Sequence, residues 1–151
     1  MHIRRILVPV DGSKPSIDAS VQAIDIAKYL DAELIALYIV SPDIRYDYME
    51  DIITPRLPRA LKDVMMIAMQ KGERHVKKVQ QRASQKKVKV KTDVVIGVSS
   101  VVKEIVGYAE KNRIDMIVIG SRGLSGIKKM LLGSVASGVV TYSHCPVLVA
   151  K

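Results

Sequence analysis

Residues 3–13 read Ile3-Arg4-Arg5-Ile6-Leu7-Val8-Pro9-Val10-Asp11-Gly12-Ser13. The apolar run from Ile6 to Val10, interrupted by Pro9 alone and closed by Asp-Gly-Ser, is the pattern of a strand buried on both faces that ends at a turn. Leu34–Val40, Met116–Ile119 and Val147–Val149 have the same character. A fifth segment, Val88 to Ile96, alternates apolar and polar in its first half and reads as an edge strand. Strands buried on both faces require helices on both sides of a parallel sheet.

Helix-period stretches lie between these runs. From about Pro15 to Leu30, Ile17, Val21, Ile24 and Ala27 recur three and four residues apart and predict one apolar face. The longest stretch runs from about Pro58 to Ser84, with Leu61, Val64, Met65, Ala68, Val76 and Val79 on a stripe weakened by Gly72. Its methionines, Met65, Met66 and Met69, read as core filler. A third helix, about Ser100 to Asn112, turns Val102, Ile105, Val106 and Ala109 inward; a fourth starts at Ser134 and ends before Pro146. Strand and helix therefore alternate from end to end, which predicts a single α/β domain over residues 1–151: a doubly wound, five-stranded parallel sheet with right-handed crossovers. The long irregular stretch Ser41 to Leu57, with Tyr46 and Tyr48, follows the second strand on the carboxyl side and suits a lid.

The bulk numbers fit this reading. The chain has 151 residues, 48% of them hydrophobic and 26% charged, enough for one core without disulfides or structural metal. The apolar run near the N-terminus is too short for a signal peptide or membrane anchor, and the lone Cys145 suits a reducing compartment, so a cytoplasmic protein is expected. The net charge of +9 concentrates between Lys71 and Lys91, where Lys71, Arg74, Lys77, Lys78, Arg82, Lys86, Lys87, Lys89 and Lys91 face a single acidic residue, Glu73. Such a face attracts polyanions, but without interleaved aromatics or an RNA- or zinc-binding pattern it reads first as a solvated helix surface. Nucleic acid is not the expected partner.

After the run Met116–Ile119 comes Gly120-Ser121-Arg122-Gly123, then nine residues, then Gly133-Ser134 at a helix start. Glycines let the backbone turn and approach a ligand closely, and a helix start offers unpaired N–H groups and the positive end of its dipole. Ser121 to Leu132 contains no acidic residue but holds Arg122, Lys128 and Lys129. This is a loop prepared for phosphate. The spacings of a P-loop and of a dinucleotide fingerprint are both absent. In a doubly wound sheet, ligands lie at the carboxyl ends of strands where the winding reverses. If the first and fourth strands adjoin there, Asp11 faces the glycine loop and can take a ribose hydroxyl or help position Mg²⁺; otherwise it serves an Asp-Gly turn with Ser13 as helix cap.

The pattern Gly-x2-Gly-x9-Gly-Ser, the opening Ile6 to Ser13 and the closing Cys145-Pro146-Val147-Leu148-Val149 resemble the universal stress protein family along the whole chain, and its ATP-binding branch in the glycine pattern. The resemblance implies strand order 3-2-1-4-5 in an adenine nucleotide alpha hydrolase-like fold, homodimers, and ATP, ADP or AMP as ligand, with Mg²⁺. It implies that Gly120, Gly123, Gly133 and Ser134 hold the phosphates, together with Ser121, Arg122, Ser125, Gly126 and Val135 around them. Pro9, Val10 and Asp11 would line the ribose and adenine side, and Ile39-Val40 would meet adenine through the backbone.

In that strand order Val147-Leu148-Val149 is an exposed edge with neither charge nor bulge before Lys151, whereas the other edge carries Lys89 and Lys91. Uncharged apolar edges pair, so the homodimer is expected through the last strand. No base or nucleophile is expected beside the glycine loop. His2 is terminal, His75 falls in the basic helix, and His144-Cys145 lacks any metal-ligand spacing. The expectation is a nucleotide-responsive regulatory module with little or no hydrolysis. A slow ATPase, and a nucleotide-independent interaction protein using the basic face, remain the alternatives.

Overall fold

The computed structural model describes residues 1–41, 57–123 and 132–151. Its elements are β1 (Arg5–Pro9), α1 (Lys14–Leu30), β2 (Glu33–Val40), α2 (Leu57–Gln85), β3 (Val90–Ile96), α3 (Val101–Lys111), β4 (Met116–Gly120), α4 (Ser134–Tyr142) and β5 (Val147–Ala150). The expected lid at Ser41 to Leu57 lies, between Ser41 and Leu57, outside the described residues, as do Ser125, Gly126, Lys128 and Lys129 and the side chain of Leu61; Leu57 itself opens α2.

The five strands form one sheet in the order β3-β2-β1-β4-β5, and every pair is parallel. Alternation along the strands divides the core in two. Ile6, Val8, Leu34, Ala36 and Val118 point toward α1 and α2, where Ala19, Ala23, Ile24, Val76, Val79 and Ala83 meet them. Leu7, Ile35, Leu37, Ile117 and Ile119 point the other way, against Ile105 and Ala109 of α3 and Ala136 and Val139 of α4. Helices thus cover both faces, which is why the central strands carry no polar alternation. Among the described residues no helix is long and apolar enough to cross a membrane.

The inner face of α1 differs from the one expected. Ser16, Ala19, Ser20, Ala23, Ile24 and Ala27 are buried, whereas Ile17 and Val21 are about one-third exposed, at 36% and 37%. The helix start lies so close to β4 that a Cβ on Gly120 would stand 2.7 Å from the Pro15 carbonyl carbon and oxygen. Only small side chains fit between helix and sheet at that spacing, so the Ser/Ala stripe turns inward and displaces the branched residues. The methionines of α2 fill the core only in part: Met65 and Met69 are half-buried and Met66 is exposed. Gly72 proves structural, since a Cβ there would lie 2.4 Å from the ring of Tyr38.

Helix α3 is fixed at its start by Ser100, whose side chain accepts from the Lys103 N–H, and by the Glu104 carboxylate, which accepts from the Val98 and Ser99 N–H groups and the Ser99 hydroxyl. These hydrogen bonds, led by the hydroxyl of Ser99, hold the Glu104 carboxyl below its ordinary range despite the opposing cost of burial. A carboxyl whose folded value is depressed adds stability above its unfolded value, and that stability is lost as pH falls through the folded one. Glu104→Gln should therefore flatten the acid limb of the stability curve below about pH 4.5, read by urea denaturation across the acid range. An acid limb identical to wild type would contradict the cap.

Candidate functional site

The carboxyl ends of β1, β2 and β4 open onto a cavity of about 470 Å³. It sits where the winding reverses, since β1 pairs with both β2 and β4. Of the residues singled out in the sequence, Pro9, Val10, Asp11, Ile39, Gly120, Arg122, Gly123, Gly133, Ser134 and Val135 line it. Val40 and Ser121 do not. Val40 is buried, and its carbonyl accepts the Gly97 N–H at 2.9 Å. Ser121 is buried too; its N–H donates to Ala150 and its carbonyl accepts the Gly133 N–H at 2.7 Å. Those two bonds tie the glycine turn to the last strand and to the start of α4.

Asp11 follows β1, and its backbone N–H donates to the Ser16 hydroxyl. Its Oδ1 accepts the Ser13 N–H at 2.9 Å, while Ser13 itself caps α1. The turn and the site are therefore served by different oxygens of one carboxylate. Oδ2 points at the glycine turn, where a Cβ on Gly123 would stand 3.1 Å away. Gly133 caps α4 in an extended conformation with no side-chain hydrogen bond, so the first N–H groups of α4, next to Ser134, face the cavity without a side-chain partner. Leu37, Ile39, Val101, Ile105, Ile119 and Ala136 supply an apolar wall beside these polar groups. A cavity with one apolar wall, one carboxylate oxygen without a hydrogen-bond partner among the described residues and one helix start suits a ligand with a flat apolar part, hydroxyls and an anionic end.

Helix α2 brings residues that sequence reasoning left outside the site. Lys71 lines the cavity, as do Tyr38 and Ser41 from β2. His75, one turn after Lys71, stacks on Tyr38 with ring centroids 5.8 Å apart and planes 21° from parallel. The imidazole rests on Gly12, whose φ of +86° and missing Cβ make the room. Burial, then the charges of Lys78 and Lys71, push the His75 pKa down, with Asp11 opposing. Burial and the Asp11 charge push the Tyr38 phenol up. The sequence places His75 only within a basic helix; the glycine inside that helix, Gly72, is the one sequence signal that it approaches a bulky neighbour.

His144 and Cys145 lie at the opposite end of the sheet, beside Glu110, Arg113 and Asp115. The Cys145 N–H donates to the Ser143 hydroxyl, which also approaches its sulfur at 3.4 Å. The Asp115 carboxylate accepts the N–H groups of Arg4 and Arg5. These are turn and strand-start contacts.

A parallel sheet in this order, covered on both faces and open to a ligand-sized cavity at its switch point, defines a doubly wound α/β protein with a cleft at the carboxyl ends of its strands. The model of the universal stress protein family matches residues 2–151. The chain belongs to the universal stress protein family. It is 36% identical to universal stress protein MJ0531 of Methanocaldococcus jannaschii over 148 residues, covering 98% of this chain and 82% of that one. The solved structure of the universal stress protein UspA from Lactobacillus plantarum superposes with a TM-score of 0.85 at 28% identity, covering 100% of this chain and 99% of the other. The fold is also shared by an Arabidopsis thaliana family protein with AMP bound, at a TM-score of 0.65 and 16% identity, covering 98% of this chain and 91% of that one.

Proposed function

We propose that this cavity binds an adenine nucleotide, ATP, ADP or AMP, and that the chain serves as a dimeric, nucleotide-responsive regulatory module. The observation that carries the reading is the convergence of Asp11 Oδ2, the Gly123 turn and the uncapped start of α4 on one cavity. The AMP-bound relative of the same fold supports it. The phosphates would lie along Gly120 to Gly123 and against the N–H groups after Gly133, with the Ser134 hydroxyl and Arg122 beside them. The adenine would rest on the apolar wall near Ile39, and Asp11 would take a ribose hydroxyl. Asp11 is the single carboxylate lining the cavity among the described residues, so a Mg²⁺ ion would be held chiefly by phosphate oxygens and water, as that ion commonly is.

Binding with little or no turnover is the reading of the chemistry. Asp11 already spends one oxygen on its own turn, its other oxygen points at the glycine turn, and among the described residues no other carboxylate lines the cavity to act as a base. The dimer would form through β5, where Val147, Leu148 and Val149 are each only half-buried in one chain and the edge carries no charge before Lys151. A cytoplasmic protein is in keeping with the free thiol of Cys145. Calorimetric titration of nucleotide-stripped protein with ATP and with GTP tests the reading: one saturable ATP site per chain is expected, with GTP weaker. Equal affinity for both would remove the adenine assignment.

A further inference from the structure

Helix α2 touches two walls of the site through one residue. His75 stacks on Tyr38 with ring planes 21° from parallel, and the same imidazole seats on Gly12, where a Cβ would stand 2.5 Å from its Nε2. Tyr38 and Asp11, the residue before Gly12, both line the cavity, whereas His75 does not. We infer that His75 is a positioning residue of this site: it braces the Asp11-Gly12 turn against the Tyr38 ring and so holds the Asp11 carboxylate beside the glycine turn.

What the carboxylate then does for a ligand rests on the nucleotide reading; how it is held is a matter of packing. The side-chain hydrogen bonds of the turn are local. Asp11 Oδ1 accepts the Ser13 N–H at 2.9 Å, and the Asp11 N–H donates to the Ser16 hydroxyl at 3.3 Å. Between them stands Gly12 at a φ of +86°, the residue type with the freest backbone. His75 supplies the contact from a separate element, and any side chain on Gly12 would expel its ring. Tyr38 is itself pinned by the same helix, since Gly72 leaves no room for a Cβ beside the phenol ring. The imidazole acts through shape rather than charge. Burial, ahead of the charges of Lys78, Lys71 and Arg74, holds its pKa below the ordinary value against the opposing pull of Asp11, and no ion pair joins it to a carboxylate among the described residues. An aromatic pair of this kind is worth about two- to tenfold in an equilibrium, which sets the scale of the effect.

The test is a double-mutant cycle on ATP affinity with His75→Ala, Asp11→Asn and the two combined, beside His75→Phe, which keeps a stacking ring. His75→Ala should weaken ATP by about five- to tenfold, and His75→Phe by less than about threefold. Asp11→Asn should cost about tenfold in wild type but less than about threefold in the His75→Ala background, because a carboxylate no longer held in place has less to lose. In ligand-free protein, His75→Ala should speed amide exchange at Ser13, whose N–H bonds to Asp11 Oδ1, by about tenfold. Losses that simply multiply in the double variant would show that His75 supports the fold without positioning Asp11, and overturn the inference. Unchanged ATP affinity in His75→Ala, or a loss in His75→Phe equal to that in His75→Ala, also overturns it. These results leave the nucleotide reading standing. Wild-type protein that binds no ATP removes that reading instead, and the Ser13 amide then decides the bracing of the turn: exchange unchanged in His75→Ala overturns it.

Discussion

Gly123→Val should abolish detectable ATP binding and leave the fold unchanged. The turn holding Gly123 is half-buried, so a larger residue there meets few core atoms. A Cβ at this position would lie 3.1 Å from Asp11 Oδ2, tight but relieved by a small rotation of one carboxylate. The two methyl groups of valine would then stand over the glycine turn, where the proposed complex places the phosphates. An affinity loss of at least about a hundredfold, near 3 kcal/mol, is expected, with the melting temperature within about 3 °C of wild type. Titration and a thermal melt on the same sample separate the two quantities. Unchanged affinity would remove the glycine turn from the site.

Gly120→Val should do the reverse damage, to folding before binding. At Gly120 the atoms that a Cβ would meet are backbone: the Pro15 carbonyl carbon and oxygen at 2.7 Å and the Ser16 nitrogen at 3.0 Å. No side-chain rotation relieves that contact, so α1 would have to move off the sheet, opening the packing of Ala19 and Ala23 against the core. Overpacking against backbone at a buried strand end should cost about 3 kcal/mol or more, a fall in melting temperature of roughly 10 °C for a chain of this size. A melting temperature within about 2 °C of wild type would contradict the close approach of α1 to β4. The pair of variants separates two glycines that one motif joins: Gly120 is required by a helix, Gly123 by the cavity.

That separation also marks the limit of sequence reading here. The strands were legible because four apolar runs lack polar alternation, and only burial on both faces tolerates that. The edge position of β3 was legible from Lys89 and Lys91. The inner face of α1 was not, because periodicity ranks Ile17 and Val21 above Ser16 and Ser20, and the spacing between helix and sheet that reverses the ranking is a tertiary quantity. Asp11 and the glycine turn could be anticipated as neighbours once β1 and β4 were taken to adjoin. Lys71 and His75 could not. Lys71 reaches the cavity, and His75 the Gly12 turn beside it, by the way α2 crosses β2 and β3, and a basic helix looks the same in sequence whether it faces water or a ligand.

Native mass spectrometry of gently purified, intact protein tests the central claim most directly, since it reads bound ligand and assembly together. The account predicts a dimer carrying the mass of AMP, ADP or ATP on each chain, with the nucleotide lost in Gly123→Val. Wild-type protein that stays bare after incubation with millimolar ATP would contradict it.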